Sequence, residues 1–287
     1  MDTEAADISG AESRLRRAFA RAITDFGMIA DGDRILVAVS GGKDSYTMLA
    51  LLRALQRRAP VRFDMKVVAI DQGHPGYPGS VLRDYMAREG VDFTLVEEDT
   101  YAIVREKLEA EETKCSLCSR LRRGILYRVA RDLGCQKIAL GHHRDDILQT
   151  LLLNLLFAGQ LAAMPPMLSA NGGAVVVIRP LAYCAEEDIR SFARLAQFPI
   201  IPCALCGSQP HLQRKIVGEL IDDFERSRPG TKQVMLAAVR NVHPSHLLDR
   251  QLWKRLGLSV AGEEDAVPED ALIAGERLLR ANRGGVP

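Results

Sequence analysis

The sequence lacks an excess of one charge: acidic and basic residues nearly cancel, leaving a net +1 over 287 residues. There is no global polyanion-binding signal, so any nucleic-acid site must be a local patch. An export signal is also missing. The N-terminus is acidic and no apolar h-region follows, which predicts a cytoplasmic protein. No apolar run is long and unbroken enough for a bilayer. The most apolar stretch, Ile147 to Leu168, is interrupted by Gln149, Asn154, Gln160 and Pro165-Pro166. It reads as a core helix and a turn, with no membrane association. Internal repeats are absent. Cysteine is sparse, at six residues, four of them in two C-x-x-C pairs. Without an export signal, that pattern favours metal or redox chemistry over structural disulfides. The length suits one large α/β domain, or one with appended pieces, around a substantial core.

The common P-loop pattern G-x-x-x-x-G-K-[ST] is absent as well. In its place, Ile35 to Val39 reads as a buried strand, Ser40-Gly41-Gly42-Lys43-Asp44-Ser45 as a turn, and Tyr46 to Leu52 as the first turns of a helix. Adjacent glycines let the backbone fold tightly and bring its N–H groups to a phosphate. The helix N-terminus adds unpaired donors and partial positive charge. Ser40, Lys43 and Ser45 supply further donors. The plainer reading is a glycine turn between strand and helix; the full hexapeptide in that setting favours nucleotide binding.

Further strands are predicted at Met65 to Ile70, Asp92 to Glu97, Lys137 to Gly141 and Ala174 to Ile178, alternating with helices. The implied fold is an open parallel α/β sheet of about five strands with helices on both faces and the nucleotide at its carboxyl edge. Residues 1–12 are expected to form a disordered tail, 13–250 the catalytic domain, and 259–287 a flexible tail. Asp71, just beyond the second strand, either touches the nucleoside or caps a turn. The fourth strand runs into Gly141-His142-His143-Arg144-Asp145-Asp146. Acidic groups at the carboxyl end of a parallel strand can hold Mg²⁺ beside a triphosphate. The alternative is an N-capping Asp beside a satisfied His.

From Lys114 to Arg131 there are six basic residues and no acidic one. Leu121, Ile125, Leu126 and Val129 give this helix a buried face. Arg120, Arg122, Arg123, Arg128 and Arg131 are then either a solvated face or a grip on a phosphate backbone. The same helix carries Cys115 and Cys118. The second pair, Cys203 and Cys206, lies far beyond the gap of about 15–20 residues usual in a zinc ribbon. The core would have to bring the pairs together, around a structural Cys₄ zinc or an iron–sulfur cluster. Cys135 and Cys184 read as small core residues.

S-G-G-K-D-S, C-S-L-C-S-R-L-R-R-G, G-H-H-R-D-D and I-P-C-A-L-C-G-S-Q, in this order, resemble the bacterial tRNA 2-thiocytidine synthetase family of PP-loop ATP pyrophosphatases. The resemblance covers roughly Ser13 to Arg250. It implies an adenine nucleotide alpha-hydrolase-like fold, ATP, Mg²⁺, a [4Fe–4S] cluster and cytidine 32 of tRNA as substrate. It implies a cysteine desulfurase as sulfur source and suggests a homodimer. Carried over, the cluster ligands are Cys115, Cys118 and Cys206, with Cys203 as the alternative third. Ser40, Gly41, Gly42, Lys43, Asp44, Ser45, Asp71 and His142 would hold the nucleotide, and Lys43, Asp44, Asp145 and Asp146 would serve catalysis. The expected chemistry is adenylation of the cytosine C2 oxygen followed by attack of sulfide. The rivals are a PP-loop amidotransferase or ligase, and a non-catalytic RNA-binding protein with a Cys₄ zinc.

Overall fold

The computed structural model describes residues 2–74, 76–107, 114–201 and 212–258. The chain divides into two units, Met1–Leu236 and Ala237–Pro287. The first opens with α1 (Asp2–Asp25), β1 (Asp33–Ala38), α2 (Lys43–Gln56), β2 (Phe63–Asp71), α3 (Gly79–Arg88) and β3 (Phe93–Glu97). It continues with α4 (Thr100–Lys107), α5 (Lys114–Asp132), β4 (Lys137–Ala139), α6 (Arg144–Leu153), β5 (Met167–Ala170) and β6 (Val175–Ile178). Then come α7 (Glu186–Leu195), α8 (Leu212–Ser227) and the first part of α9 (Thr231–Arg240), whose last residues belong to the second unit.

The strands form one six-stranded sheet in the order β3-β2-β1-β4-β6-β5. Five run parallel; β5 pairs antiparallel with β6 at the edge. Period-2 alternation explains why both faces are covered. Ile35 and Val37 of β1 point into one cluster with Phe19 of α1, Leu52 of α2, Met86 of α3 and Ile189 of α7. Leu36, between them, points into the other, with Val68, Ile138 and Val175 from the sheet and Leu126 and Ala130 from α5. Each such fully buried aliphatic side chain contributes about 1.5–3 kcal/mol of transfer free energy.

Three expectations change. The sheet has six strands, because Met167–Ala170 folds back on β6 through Asn171, Gly172 and Gly173, all at positive φ. M-L-S-A carries neither β-branched residues nor clean alternation, so only its pairing makes it a strand. The apolar stretch from Ile147 is not all core. Beyond α6 it becomes a π-helical turn, Asn154–Ala158, and Leu155, Leu156, Phe157 and Leu161 are exposed. Finally, α1 begins at Asp2, within the stretch 1–12 expected to form a tail. Proline is absent from residues 1–12 and alanine and glutamate favour the helix there. The expected tail at 259–287 lies outside the described residues.

In the second unit, α10 (Arg250–Leu256) starts at Asp249, whose carboxylate accepts from Gln251 N and Leu252 N. Trp253 Nε1 donates to Pro244 O at 2.9 Å. No helix among the described residues is long and apolar enough to cross a membrane.

Candidate active site at the carboxyl edge of the sheet

The turn after β1 is built by its own hydroxyls. Ser45 Oγ accepts from Ser40 N at 3.1 Å and donates to Gly42 O at 2.9 Å. Gly41 sits at φ +82, and a Cβ there would meet Ile201 Cδ1 at 2.7 Å. Only glycine suits both constraints. No side chain caps α2 at Gly42, so its first N–H groups stay available to an anion. Lys43 Nζ lies 3.1 Å from Asp44 and 3.0 Å from Glu186 Oε1, the latter on the first turn of α7. Burial acts against the Lys43 charge, but Asp44 and Glu186 outweigh it and raise the pKa above the ordinary lysine value.

The turn after β4 packs directly against this one. A Cβ on Gly141 would stand 3.1 Å from Ser45 N and 3.2 Å from Asp44 C, so the two strand-to-helix turns touch backbone to backbone. Closeness brings their side chains together. His143 Nε2 is 3.7 Å from Asp44 Oδ1 and 3.5 Å from Asp146 Oδ2, placing an imidazole between two carboxylates. Asp146 Oδ2 accepts from His143 N, and Arg214 of α8 approaches Asp146 Oδ1 at 3.4 Å. Asp44 Oδ1 is buried and accepts no hydrogen bond; its approach to Lys43 is an ion pair without hydrogen-bond geometry.

That orphaned oxygen, with Asp146 across the imidazole, suits a hard divalent cation. Mg²⁺ binds through one or two carboxylates and completes its shell with phosphate oxygens and water. Asp145 is placed differently. It is buried, 2.8 Å from Lys232 Nζ and 3.3 Å from Arg144, and accepts from Glu186 N. Burial pushes its carboxyl up, but Arg144 and Lys232 prevail and hold it at about 2. His142 is pushed down to about 4, first by burial and then by Arg179, against the pull of Asp146. Asp71 Oδ1 accepts from Gly73 N at 2.9 Å, which is the turn-capping geometry.

Sequence reasoning missed Glu186, Arg179, Arg214 and Lys232. Arg179 directly follows β6, and that carboxyl-edge position was the available signal. Its guanidinium is buried, with Nε unpartnered and one terminal nitrogen donating to Pro165 O.

Helix α5 buries Ile125, Leu126 and Ala130 and exposes all five of its arginines. Arg128 pairs with Glu98 and Arg131 with Asp132, whereas Arg120, Arg122 and Arg123 form no ion pair among the described residues. Cys115 lies in the first turn of α5. Its side chain, together with Cys203 and Cys206, lies outside the described residues. Cys118 is a free, half-buried thiol 3.4 Å from Gln72 Oε1, one residue beyond the end of β2. A soft donor at the carboxyl edge fits a ligand of an iron–sulfur cluster. Cys135 and Cys184 are buried, and burial raises both thiol pKa values.

Residues 11–201 match the model of the PP-loop domain family. A tRNA-cytidine(32) 2-sulfurtransferase of Sorangium cellulosum (strain So ce56) is 65% identical over 258 residues, covering 90% of this chain and 91% of that protein. The enzyme of the same name from Cupriavidus necator is 56% identical over 248 residues, covering 86% of this chain and 79% of that protein. Among solved structures, the U34-tRNA thiolase NcsA from Methanococcus maripaludis with its [4Fe–4S] cluster superposes with a TM-score of 0.65. It is 20% identical and covers 88% of this chain and 90% of that one, a likeness of fold.

Proposed function

The chain belongs to the PP-loop family of tRNA-cytidine(32) 2-sulfurtransferases, and from that premise we propose how its residues carry out an ATP-dependent thiolation of tRNA. The C2 carbonyl oxygen of cytosine attacks the α-phosphorus of ATP, and pyrophosphate leaves. The oxygen, now part of an adenylate, becomes a good leaving group. Sulfide attacks C2 and AMP departs with the original oxygen. Overall, C=O becomes C=S and one ATP becomes AMP and pyrophosphate.

The observation that carries this reading is the contact of the two turns. It sets the uncapped start of α2 and Lys43 beside Asp44, His143 and Asp146. The N–H groups of Gly42 to Ser45 and the Lys43 ammonium would hold the phosphates and meet charge that grows as pyrophosphate leaves. Mg²⁺, bound by Asp44 and Asp146, would supply charge neutralisation at the leaving phosphates. Asp145, engaged by Lys232 and Arg144, keeps the second turn in place. Asp71 shapes the loop after β2. His142, neutral at physiological pH, would face the nucleotide as an uncharged donor or acceptor.

Cys115 and Cys118, with Cys206 or Cys203 as the third ligand, would hold a [4Fe–4S] cluster, which when bound supplies iron able to hold sulfide near C2. A cysteine desulfurase is the proposed sulfur source. Arg120, Arg122 and Arg123 would bind tRNA phosphates, with Arg128 and Arg131 contributing less because acidic neighbours already hold them. The target base sits in a single-stranded loop, where unstacking is cheap.

The test is anaerobic reconstitution followed by iron, sulfide and zinc analysis, AMP release, and nucleoside mass spectrometry of tRNA. Expected are about four irons per chain, the content of a single [4Fe–4S] centre, and 2-thiocytidine formed only with ATP. Lys43→Ala should stop AMP release and keep the iron; Cys118→Ala should lose the iron and still bind ATP. A colourless protein holding zinc, or full thiolation by Cys118→Ala, would overturn the cluster assignment.

A further inference from the structure

The carboxamide of Gln72 is buried between the sheet and two helices. Gln72 and Thr100 are 6% and 5% exposed, so neither side chain can rely on bulk water for partners. Gln72 Nε2 donates to Thr100 Oγ1 at 2.9 Å, and Gln72 O accepts from Tyr101 N at 2.9 Å. At its other end, Gln72 Oε1 accepts from Cys118 Sγ at 3.4 Å. The amide thus spans from the start of α4 to Cys118 on α5, with its backbone fixed at the end of β2.

This arrangement satisfies a protonated thiol. A cysteine bound to iron carries no proton, so its sulfur can only accept. A carbonyl oxygen facing it would then be repelled. A carboxamide has one end of each polarity, and its two ends are nearly equal in shape. Half a turn about the last side-chain bond brings Nε2 to Cys118 Sγ and Oε1 to Thr100. The threonine hydroxyl, which accepts in one arrangement, donates in the other. Every buried group keeps a partner and no backbone moves.

We infer that Gln72 is a positioning residue for the cluster, donating an N–H···S hydrogen bond to the Cys118 thiolate while Thr100 holds the far end of the amide. The inference rests on the reading of Cys118 as a cluster ligand. An N–H aimed at a ligating sulfur fixes that sulfur and withdraws electron density from the iron. The cluster then accepts an electron more readily and its reduction potential rises. Glutamine at this point does what neither glutamate nor leucine can. Glutamate has the same shape with two acceptors and a charge; leucine has the bulk and no donor.

The experiment compares anaerobically reconstituted full-length wild type with Gln72→Glu, Gln72→Leu and Thr100→Val. Iron per chain, midpoint potential and the Fe–S(Cys) stretch by resonance Raman are read together with circular dichroism and ATP binding. Expected is a midpoint potential lowered in Gln72→Leu, lowered further in Gln72→Glu, and intermediate in Thr100→Val, with ATP binding unchanged. Loss of iron from Gln72→Glu at unchanged circular dichroism and ATP binding also supports the role, since a carboxylate would repel the thiolate. Wild-type potential and Fe–S stretch in both Gln72 variants would overturn it while leaving the cluster reading intact. A wild type that takes up no iron would instead sink that reading, and this inference with it.

Discussion

Lys232 Nζ stands 2.8 Å from Asp145 Oδ1 and 2.7 Å from Asp222 Oδ1, so a lysine of α9 is tied to the turn that begins α6. Two adjacent aspartates therefore have different tasks. Asp145 faces inward to Lys232, Arg144 and the Glu186 N–H; Asp146 meets His143, which also approaches Asp44 on the turn that carries Lys43. The first supports the loop, and the proposed reading gives the second to the Mg²⁺ beside the nucleotide.

Separate tasks predict separate phenotypes. Asp145→Asn and Lys232→Met should each destabilise the protein by about 1–3 kcal/mol, because each leaves a buried charge short of one of its partners. Their double mutant should cost less than the sum. Asp146→Asn should leave stability within about 1 kcal/mol of wild type, as for a partly exposed group, and instead lose Mg²⁺-dependent AMP release. Urea unfolding alongside an AMP assay checks both halves. Equal stability losses at the two aspartates would refute the division.

Glu186 holds Lys43 at 3.0 Å and adds a negative charge where the proposed triphosphate would enter. Glu186→Gln should keep the shape and remove the charge. ATP should bind a few-fold more tightly, since it no longer competes with Glu186 for the ammonium. AMP formation should slow about tenfold, or roughly 1.4 kcal/mol of barrier, because Lys43 loses a partner that fixes its position. Calorimetric ATP titration and single-turnover AMP formation separate the two effects. Weaker binding with unchanged turnover would assign Glu186 to nucleotide contact.

The sequence made the parallel strands and the two turns legible because each pairs a short apolar run with small or polar residues at its carboxyl end. Ile35 and Leu36 alternate between faces as period-2 patterning requires. β5 was illegible because its strand character comes from pairing with β6. The distinction between Asp145 and Asp146 was hidden for a similar reason: Lys232 and Arg214, which engage them, are far away in the chain. Gln72 offered no motif, and its meaning lies in the burial it shares with Thr100.

Acid should unfold this protein earlier than its net charge suggests. His142 resists protonation until about 4, first because it is buried and then because Arg179 is near. In the unfolded chain it takes its proton near the ordinary histidine value of about 6.5. Between those pH values the unfolded state binds more protons, so stability rises with pH and is lost as pH falls from about 6.5 to about 4. Asp145, held at about 2 against an ordinary 3.8, adds a second loss below that higher value. Urea midpoints at pH 7, 6 and 5 should decline, and the decline should flatten in His142→Gln. A profile unchanged by that substitution would remove His142 as its cause.

The backbone contact between the two turns also yields the site's most local test. Gly42 has ordinary backbone angles for a side chain, and a Cβ there would rest 3.5 Å from Ser40 Oγ, an ordinary contact. Gly141 is different: its added Cβ would meet the backbone of Asp44 and Ser45 at 3.1–3.2 Å, and backbone cannot swing aside as a side chain tip can. Gly141→Ala should therefore push the two turns apart at a cost of about 1–3 kcal/mol. The shift would separate Asp44 from His143, now 3.7 Å apart, and with it from Asp146 on the second turn. ATP affinity should fall at least about tenfold, since phosphate and Mg²⁺ contacts need both turns at once. Gly42→Ala should unfold near the wild-type midpoint. Were Gly141→Ala to bind ATP as tightly as wild type, the contact between the turns would be packing alone, and the nucleotide would have to be held by the Gly41-Gly42 turn without the second.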